Sequence, residues 1–392
     1  MQENKRKLAI VSTHPIQYNA PIFRLLTKRK NIQIKVFYTW GEQVLQNKYD
    51  PGFGKEIQWD IPLLDGYDFE WMKNIAKHPG SHHFRGIITP LLNFSIENWG
   101  ADAVLIFGWN YYAHLSCLRY FKRKKIVLFR GDSTLFGRND GFIKENLKTI
   151  FLRWVYSHVD YALFVGSENK KYFKKFGLKD KQLKFVPHAV DNNIFDSIED
   201  DSIRKKLRID DDCILFLFSG KFQELKNPIL LINAFVKIDN LKSHLLIVGN
   251  GYYENKMKSH VSLFSADIQA RIHFMDFVNQ SKMPQLYKNC DVFVLPSKSE
   301  TWGLSINEAM ASSKSVIVSN VCGCHVDLVF EGVNGFVFKN NDLDSLISKM
   351  NFFNSRSITK KMGNKSQELI RNWSLEKICE EIEAILLTEF AV

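Results

Sequence analysis

Short apolar runs alternate with helix-length amphipathic segments along this 392-residue chain, and the pattern occurs twice. Because such alternation is typical of parallel sheets covered by helices on both faces, it predicts doubly wound α/β domains. A chain of this length exceeds one ordinary hydrophobic core, so we expect two domains. The predicted strands of the first half are 8–12, 33–38, 103–107, 125–129, 161–165 and 183–186. Those of the second half are 214–218, 244–248, 272–275, 292–295, 315–318 and 336–338.

A change of composition near residue 200 marks the boundary between the two domains. Acidic residues and a basic cluster fill this stretch, which favours a solvated linker with a short helix over a metal site. The predicted parts are a first Rossmann-like domain, a linker, a second Rossmann-like domain and a closing amphipathic helix, over 1–196, 197–212, 213–373 and 374–392 respectively. Residues 40–86 are less regular, and we expect them to leave the first sheet with a short hairpin.

Positive charge is concentrated in the first half of the chain. Residues 1–200 contain 30 Lys and Arg against 20 Asp and Glu, whereas the remainder contains 23 against 22. Such a bias indicates an anionic partner, for which membrane lipid, nucleic acid and a phosphorylated acceptor are the alternatives. The sequence has no recognised nucleic-acid-binding motif, so we expect no nucleic-acid partner.

The cysteines and the apolar runs bear on the compartment of the protein. The six cysteines are scattered without a C-x-x-C pair, which is typical of free thiols in a reducing compartment. No run approaches the ~20 apolar residues of a membrane span, and the run at 8–11 is shorter than a signal sequence requires. We expect a cytoplasmic protein, attached at most to the inner face of the cell membrane.

The segment after the predicted strand 292–295 carries the strongest signal for a functional site. A loop that holds Glu300 leads into a helix beginning near Gly303, and the unpaired amides of a helix start bind anions. Glu308 lies about one turn into this helix, where a carboxylate can accept hydrogen bonds from two vicinal hydroxyls. The alternative is structural, because Ser305 and Glu308 have the spacing of a capping box.

A second loop, after the predicted strand 214–218, contributes two lysines to the same edge of the sheet. Lys221 and Lys226 follow Gly220, and two ammonium groups there could neutralise a departing diphosphate. The alternative is that both are ordinary solvated lysines of a surface loop.

Taken together, these segments resemble the retaining glycosyltransferase family 4, whose members have the GT-B fold of two Rossmann-like domains. Glu300 and Glu308 meet the family's Glu-x7-Glu pattern. Other matching segments are Val248-Gly249-Asn250-Gly251, Asp276-Phe277-Val278, Leu295-Pro296-Ser297 and Gly332-Val333-Asn334-Gly335. The match is dense over residues 213–340 and thinner before them, where residues 186–191 resemble the family's Pro-Asn-Gly-Val-Asp stretch.

The resemblance implies a role for each matching residue. Glu308 would hold the ribose hydroxyls of a UDP- or GDP-sugar, and Glu300 would contact the transferred sugar. Lys221 and Lys226 would bind the diphosphate and stabilise it as the leaving group. The remaining donor site would consist of Gly220, Gly249, Phe277 and Val278, with the backbone amides of Thr301, Trp302, Gly303 and Leu304. Family members need no metal ion, so we expect neither a metal nor a cofactor beside the donor.

The chain departs from the family pattern at several of these positions. Lys221 stands where Arg is usual, which preserves the charge but loses the bidentate geometry. Thr301 and Trp302 replace the usual Gly and Phe, and we expect them to narrow the sugar pocket.

In the first domain, His14 lies in a His-Pro-Ile-Gln-Tyr stretch that similar proteins from bacterial surface-polysaccharide clusters share. It would donate a hydrogen bond to a donor phosphate or an acceptor hydroxyl; the alternative is a packed or capping histidine. Arg130-Gly131-Asp132 stands where many members have a His-Asp pair. Asp132 or Arg130 is therefore expected to make the contact to the donor sugar. The candidate catalytic residues are Lys221, Lys226, Glu300, Asp132 and His14.

The resulting hypothesis is a metal-independent, retaining transferase of surface-polysaccharide synthesis. It would move a hexose or N-acetylhexosamine to a glycan or a polyprenyl-diphosphate-linked acceptor, with the acceptor bound by the first domain. Basic residues near 119–125 and 170–175 alternate with aromatic ones, and we expect them to face an anionic membrane surface. A sugar-nucleotide epimerase of the same fold and a non-catalytic subunit that binds sugar nucleotides or glycans are the alternatives.

Overall fold

A computed structural model describes residues 5–45, 49–136, 141–196 and 201–389. Within these ranges the chain packs as two compact α/β units. The first unit comprises the described residues of 1–48, 61–188 and 375–392, and the second those of 49–60 and 189–374. Each unit has its own parallel sheet and its own apolar core, which confirms the predicted fold class.

The strands are short and mostly buried, as expected of parallel sheets covered on both faces. In chain order they are β1 (Lys7–Ser12), β2 (Gln33–Tyr38), β3 (Tyr49–Asp50), β4 (Lys55–Glu56), β5 (Phe69–Trp71), β6 (Ala103–Phe107), β7 (Ile126–Arg130), β8 (Tyr161–Phe164), β9 (Leu183–Phe185), β10 (Ile214–Ser219), β11 (Ser243–Val248), β12 (Ile272–Met275), β13 (Val292–Leu295), β14 (Ser315–Ser319) and β15 (Gly335–Phe338).

Helices connect most of these strands. They are α1 (Ala20–Arg29), α2 (Leu92–Trp99), α3 (Tyr112–Phe121), α4 (Phe142–Tyr156), α5 (Ser167–Lys175), α6 (Asn192–Asp196), α7 (Ser202–Lys206), α8 (Pro228–Phe235), α9 (Glu254–Val261), α10 (Ala266–Gln269), α11 (Met283–Asn289), α12 (Leu304–Ala311), α13 (His325–Leu328), α14 (Leu343–Asn351), α15 (Arg356–Ile370) and α16 (Leu375–Glu389). In the described part of the chain, no helix is both long and apolar enough to cross a bilayer.

The two sheets share one principle of construction. The first has the strand order β5-β2-β1-β6-β7-β8-β9, and the second has the order β12-β11-β10-β13-β14-β15. All of their pairings are parallel. In each sheet the chain starts at an inner strand, proceeds to one edge and then crosses to the other side, which is the doubly wound order. The crossover strands β10 and β13 therefore lie side by side, and the loops that follow them meet at one sheet edge.

Two parts of the fold differ from the expectations of the sequence. The irregular stretch contains the predicted hairpin, with β3 antiparallel to β4, but it also returns β5 to the edge of the first sheet. Helix α15 was not predicted, because its sequence is polar and carries Gly363 inside it. A Cβ on Gly363 would lie 2.1 Å from the carbonyl oxygen of Ser313, so this close contact requires glycine.

The last helix packs with the first unit. The guanidinium of Arg29, at the end of α1, donates to both carboxylate oxygens of Glu383 in α16, at 2.9 to 3.0 Å. The side-chain amide of Asn31 donates to the same carboxylate at 2.8 Å. These contacts connect residues more than 350 positions apart and explain why the closing helix belongs to the unit in which the chain begins.

A buried ion pair anchors the described part of the linker to the second unit; its residues 197–200 lie outside the described ranges. Arg204 in α7 donates to Asp291, just before β13, at 3.0 Å, and both side chains are nearly inaccessible. Its other guanidinium nitrogen donates to the carbonyl oxygens of Asp210 and Cys213. Asp291 also accepts from the backbone amide of Leu215 at 2.8 Å. The start of β10 is thus fixed to its neighbour β13 by charge-assisted hydrogen bonds.

Asp291→Ala would leave the Arg204 guanidinium buried without its carboxylate. We expect the free energy of unfolding to fall by about 3–5 kcal/mol, as measured by chemical denaturation. Asp180→Ala is the matched control, because its carboxylate pairs with Lys174 at an exposed position, where such pairs contribute about 0–1 kcal/mol. Equal losses in the two variants would contradict this account of the linker.

Candidate functional site

The two loops that carry the predicted site residues meet at the carboxyl edge of the second sheet. The loop after β10 holds Lys221 and Lys226, and the loop after β13 holds Glu300. The backbone amide of Lys298 donates to the carbonyl oxygen of Leu225 at 2.8 Å and joins the two loops directly. The sequence prediction that these segments lie together is confirmed within the second unit.

Lys226 and Glu300 form an ion pair at this edge, and each side chain is about four-fifths buried. Lys226 ends a 3-10 turn over Glu224–Lys226, which directs its side chain across to the neighbouring loop. The Glu300 loop is held from its other side by the loop after β14. The amide of Glu300 donates to the carbonyl oxygen of Val321, and the amide of Gly323 donates to that of Glu300. The charges of the two predicted ligand-binding residues are therefore balanced against each other.

Lys221 also has a carboxylate partner, which the sequence did not predict. Its ammonium donates to both carboxylate oxygens of Asp50, at 2.9 and 3.0 Å. Asp50 lies in the β3–β4 hairpin and accepts from the amide of Gly52 as well. Partial burial raises the pKa of the Asp50 carboxyl, but the hydrogen bonds and positive charge of Lys221 outweigh it and hold that pKa below its usual value.

Residues 49–60, which we call the hairpin segment, cover the loops after β11 and β12. The ammonium of Lys55 donates to the side-chain oxygen of Asn250 at 2.6 Å and lies 5.1 Å from the centre of the Phe277 ring. The ring of Phe53 meets Phe277 edge-on at 4.9 Å, and Trp59 lies 6.2 Å from it. Sequence reasoning missed these residues, and the only signal for them was their place in the irregular stretch 40–86, because binding residues often lie on loops.

The predicted glycines mark close backbone contacts at the same edge. Gly249 has a φ of 139°, and a Cβ there would lie 2.0 Å from the carbonyl oxygen of Gly220. Asn250, the next residue, accepts from the amide of Phe277 at 3.0 Å through its side-chain oxygen. Gly220, Gly249, Phe277 and the half-buried Val278 therefore form a continuous strip over three neighbouring loops.

Helix α12 begins as the sequence predicted, but it is not capped as the alternative required. Gly303 is its N-cap residue, with a φ of 108°, and no side chain closes the helix start. Ser305 lies inside the first turn, so Ser305 and Glu308 do not form a capping box. The amide of Ile306 donates to the carbonyl oxygen of Gly303 at 2.9 Å. The amides of Leu304 and Ser305 precede the first hydrogen bond of the helix and lie at the positive end of its dipole.

Glu308 is 2% exposed, yet its carboxylate accepts from the hydroxyl of Tyr287 at 2.8 Å and, weakly, from Gln280 at 3.5 Å. Burial of a carboxylate is costly unless hydrogen bonds or a bound group satisfy its oxygens. The capping explanation is wrong for this residue, and a hydroxyl-accepting role remains a prediction.

Trp302 corrects one expectation about the sugar pocket. Its ring is 2% exposed, stacks on Trp373 at 5.1 Å and donates from Nε1 to the side chain of Asn307 at 2.9 Å. The indole is therefore part of the packing beneath the loop, and it does not narrow a pocket as predicted. Thr301 beside it is exposed. Only the backbone amide of Trp302 remains a candidate for ligand binding.

In the first unit, the predicted residues lie after β1 and β7. His14 is half-buried, with Nδ1 at 2.9 Å from the Thr13 hydroxyl and its ring 5.3 Å from that of Trp40. The Arg130 guanidinium is buried and donates to the carbonyl oxygens of Val186 and Pro187, so it stabilises the loop after β9 rather than facing solvent.

Asp132 has an imidazole near it that sequence reasoning missed. Burial, followed by the positive charge of Arg130, lowers the pKa of His188 to about 4, whereas Asp132 raises it. His188 is therefore neutral at physiological pH, and it lies after β9 while Asp132 lies after β7. The family's pattern puts the histidine next to the aspartate, in the stretch after β7, so no histidine was expected after β9. The one clue in the sequence was His188 itself, within the matching segment 186–191.

Among the described residues, Asp210, Asp212 and Cys213 have ligand atoms within 4.8 Å of one another, which is close enough for a metal ion. They precede β10 and so lie at the amino edge of the sheet, opposite the loops above. Asp212 is exposed and ion-paired with Lys242. Asp342 of the Asp-x-Asp sequence at 342–344 caps α14 by accepting from the amide of Ser345 at 3.0 Å.

Residues 199–371 match the family model of glycosyl transferases group 1. An uncharacterized glycosyltransferase of Methanocaldococcus jannaschii is 26% identical over 82% of this chain and 88% of its own. The Escherichia coli UDP-Gal:alpha-D-GlcNAc-diphosphoundecaprenol alpha-1,3-galactosyltransferase is 27% identical, but the match covers 54% of this chain and just over half, 57%, of that protein.

Solved structures extend the likeness to the whole fold. Anabaena HepE in complex with UDP superposes with a TM-score of 0.72 over 98% of this chain and 100% of that one, at 16% sequence identity. Residues 199–371 are thus similar to the group 1 glycosyltransferases, and the likeness to solved structures shows that the two Rossmann-like α/β units have the GT-B fold.

Proposed function

We propose that this chain transfers a hexose or N-acetylhexosamine from a UDP- or GDP-sugar to a glycan or polyprenyl-diphosphate-linked acceptor in surface-polysaccharide synthesis. The observation that carries the proposal is the convergence of Lys221, Lys226 and the uncapped start of α12 on one sheet edge. Two ammonium groups and a helix dipole provide the positive field that a diphosphate requires.

The diphosphate would replace the carboxylates that now balance this field. Asp50 occupies Lys221 and Glu300 occupies Lys226, so each lysine is held in place by an anion before the donor arrives. A diphosphate carries more charge than one carboxylate and can bind both lysines and the α12 amides together. Glu300, released from Lys226, would then accept a hydrogen bond from a hydroxyl of the transferred sugar.

The nucleoside would lie along the strip that continues from the lysines. The Glu308 carboxylate suits the two ribose hydroxyls, and the Tyr287 hydroxyl orients it from behind. Phe277 and its aromatic neighbours Phe53 and Trp59 offer apolar faces for the base.

The reaction we propose is a front-face displacement with retention of configuration. The bond from the anomeric carbon to the diphosphate oxygen breaks, and a bond from that carbon to the acceptor oxygen forms on the same face. The acceptor proton passes to the departing phosphate oxygen, whose charge Lys221, Lys226 and the α12 amides stabilise. Neither a protein base nor a metal ion takes part in this proposal.

Two observations support an anionic, lipid-linked acceptor. The Escherichia coli relative is named for an acceptor that carries a diphosphoundecaprenol group. The excess positive charge of this chain lies in its first 200 residues, which form most of the first unit. Asp132, His14 and the neutral His188 at the carboxyl edge of the first sheet are the candidates for handling the acceptor.

A panel of UDP- and GDP-sugars tests the function directly. We expect one of them to raise the melting temperature of the purified chain, because a ligand of the native state stabilises it in proportion to ln(1 + [L]/Kd). The same sugar nucleotide should be hydrolysed slowly without an acceptor. Conversion of the donor sugar to its epimer, or tight binding with no turnover at all, would instead indicate one of the two alternatives.

Lys226→Ala removes a cation from the leaving-group site while leaving the sheet intact. We expect the rate of nucleotide release from the preferred donor to fall by roughly 10²–10³-fold. Lys298→Ala is the matched control, since Lys298 lies on the adjoining loop and pairs with the exposed Glu224. Unchanged release in the Lys226 variant would remove this residue from the mechanism.

Asp50→Asn would take away the carboxylate with which a diphosphate must compete for Lys221. We expect UDP or GDP to bind about two- to fivefold more tightly, because a partly exposed ion pair contributes up to ~1 kcal/mol. Binding of the uncharged nucleoside should not change. Asp60→Asn in the same segment, whose carboxylate accepts from Ser281, is the control for calorimetric titration. Equal gains for nucleoside and diphosphate would contradict competition at Lys221.

A further inference from the structure

Helix α4 in the first unit exposes a stripe of large apolar side chains. Ile143, Leu147 and Ile150 are 75%, 64% and 68% exposed, and Phe151 and Trp154 are 40% and 41% exposed. Their spacing of four, three, one and three residues places all five on one face of the helix. The opposite side packs into the core through its own apolar residues, Leu152, Val155 and Tyr156.

Such a stripe is unusual on a surface that meets only water. Single exposed apolar residues are common, but a contiguous apolar patch marks a site of contact with a protein or a membrane. The helix therefore has two apolar faces, and only one of them is buried by the unit to which it belongs.

A basic pocket adjoins the Trp154 end of the stripe. The guanidinium of Arg119 lies 5.5 Å from the centre of the Trp154 ring, and the His158 ring meets the same indole edge-on at 5.1 Å. Both residues line a cavity of about 610 Å³ with Lys122, Arg123, Tyr120 and Ser116. Within the described residues, no ion pair is formed by Arg119, Lys122 or Arg123.

The sequence predicted that basic residues near 119–125 and 170–175, together with the aromatic residues between them, face a membrane, but the aromatic part of this prediction is wrong. Phe121, Tyr172 and Phe173 are buried in the core of the first unit, so they cannot face a membrane. The basic residues near 119–125 do remain at the surface. Their apolar partners are the side chains of α4, which the sequence analysis treated only as a helix of the fold.

We propose that the α4 stripe and the basic pocket together dock the first unit on a bilayer that contains anionic lipids. Ile143, Leu147 and Ile150 enter the acyl boundary, and Trp154 lies at the headgroup level, where indole rings are favoured. Arg119, Lys122 and Arg123 bind lipid phosphates, which lie at the same depth as the indole.

Charge favours a lipid surface over a second copy of this chain. A symmetric dimer through α4 would place the basic pocket and the helix lysines of one copy near those of the other. Like charges that face each other across an interface oppose association. An anionic headgroup layer instead neutralises the same charges, and it matches the excess of Lys and Arg in the first 200 residues.

Flotation of the full chain with lipid vesicles, in the absence of any sugar nucleotide, tests this inference separately from the proposed function. We expect binding to phosphatidylcholine vesicles that contain phosphatidylglycerol, weaker binding to phosphatidylcholine alone, and loss of binding as salt rises. Ile143→Gln, Leu147→Gln and Ile150→Gln combined should weaken binding at least about tenfold. Leu263→Gln, at a position 78% exposed in the second unit, should not.

The role of the basic pocket in binding lipid phosphates is tested by a variant that combines Arg119→Gln with Arg123→Gln. We expect this variant to lose the preference for phosphatidylglycerol, whereas Lys360→Gln with Lys361→Gln, two exposed lysines of α15, should keep it. The inference is overturned if the chain ignores anionic vesicles at low salt, or if the α4 and control variants bind them equally. It is also overturned if sedimentation shows a dimer that the α4 substitutions dissociate without changing lipid binding.

Discussion

The pairing of β10 with β13 is the constraint on which the candidate site depends. Because the two parallel strands are hydrogen-bonded neighbours, their carboxyl ends deliver the Lys221–Lys226 loop and the Glu300 loop to the same edge. The buried pair of Arg204 with Asp291 fixes the opposite ends of the same strands. The loops supply the charges, and the order of the strands brings those charges together at one edge, where they produce a positive field.

That field is balanced in the absence of a ligand. Asp50 and Glu300 hold the two lysines, so the site pays little desolvation cost for two ammonium groups at a partly buried position. A diphosphate that replaced them, as we propose, would meet cations already in position. Preorganised charge of this kind is how an enzyme stabilises a leaving group without reorganising during the reaction.

The sequence predicted the parts of the fold that follow from local pattern. Apolar runs located nearly every strand of both sheets, and the loops after β10 and β13 were identified from Lys221, Lys226, Glu300 and Gly303. Features that depend on packing could not be predicted in this way. The contact of Asp50 with Lys221 joins residues 171 positions apart. Glycine at position 363 argued against a helix there, because the close approach of the Ser313 carbonyl that requires it is visible only in the packed structure.

Burial explains the remaining corrections. An aromatic residue in a motif can face a ligand or the core, and Trp302, Phe121, Tyr172 and Phe173 all belong to the core. Periodicity marks one apolar face of a helix well, but it does not reveal that α4 has a second apolar face left uncovered. His188 and Asp132 lie near each other because β7, β8 and β9 follow one another in the sheet, and the sequence alone does not show this order.

The most direct test of the account is a crystal structure of the chain with UDP or GDP bound. The account predicts a pyrophosphate within about 3 Å of the ammonium groups of Lys221 and Lys226, with Asp50 moved away from Lys221 and the ribose hydroxyls on Glu308. A nucleotide bound elsewhere, or one that leaves both lysines on their present carboxylates, would contradict it.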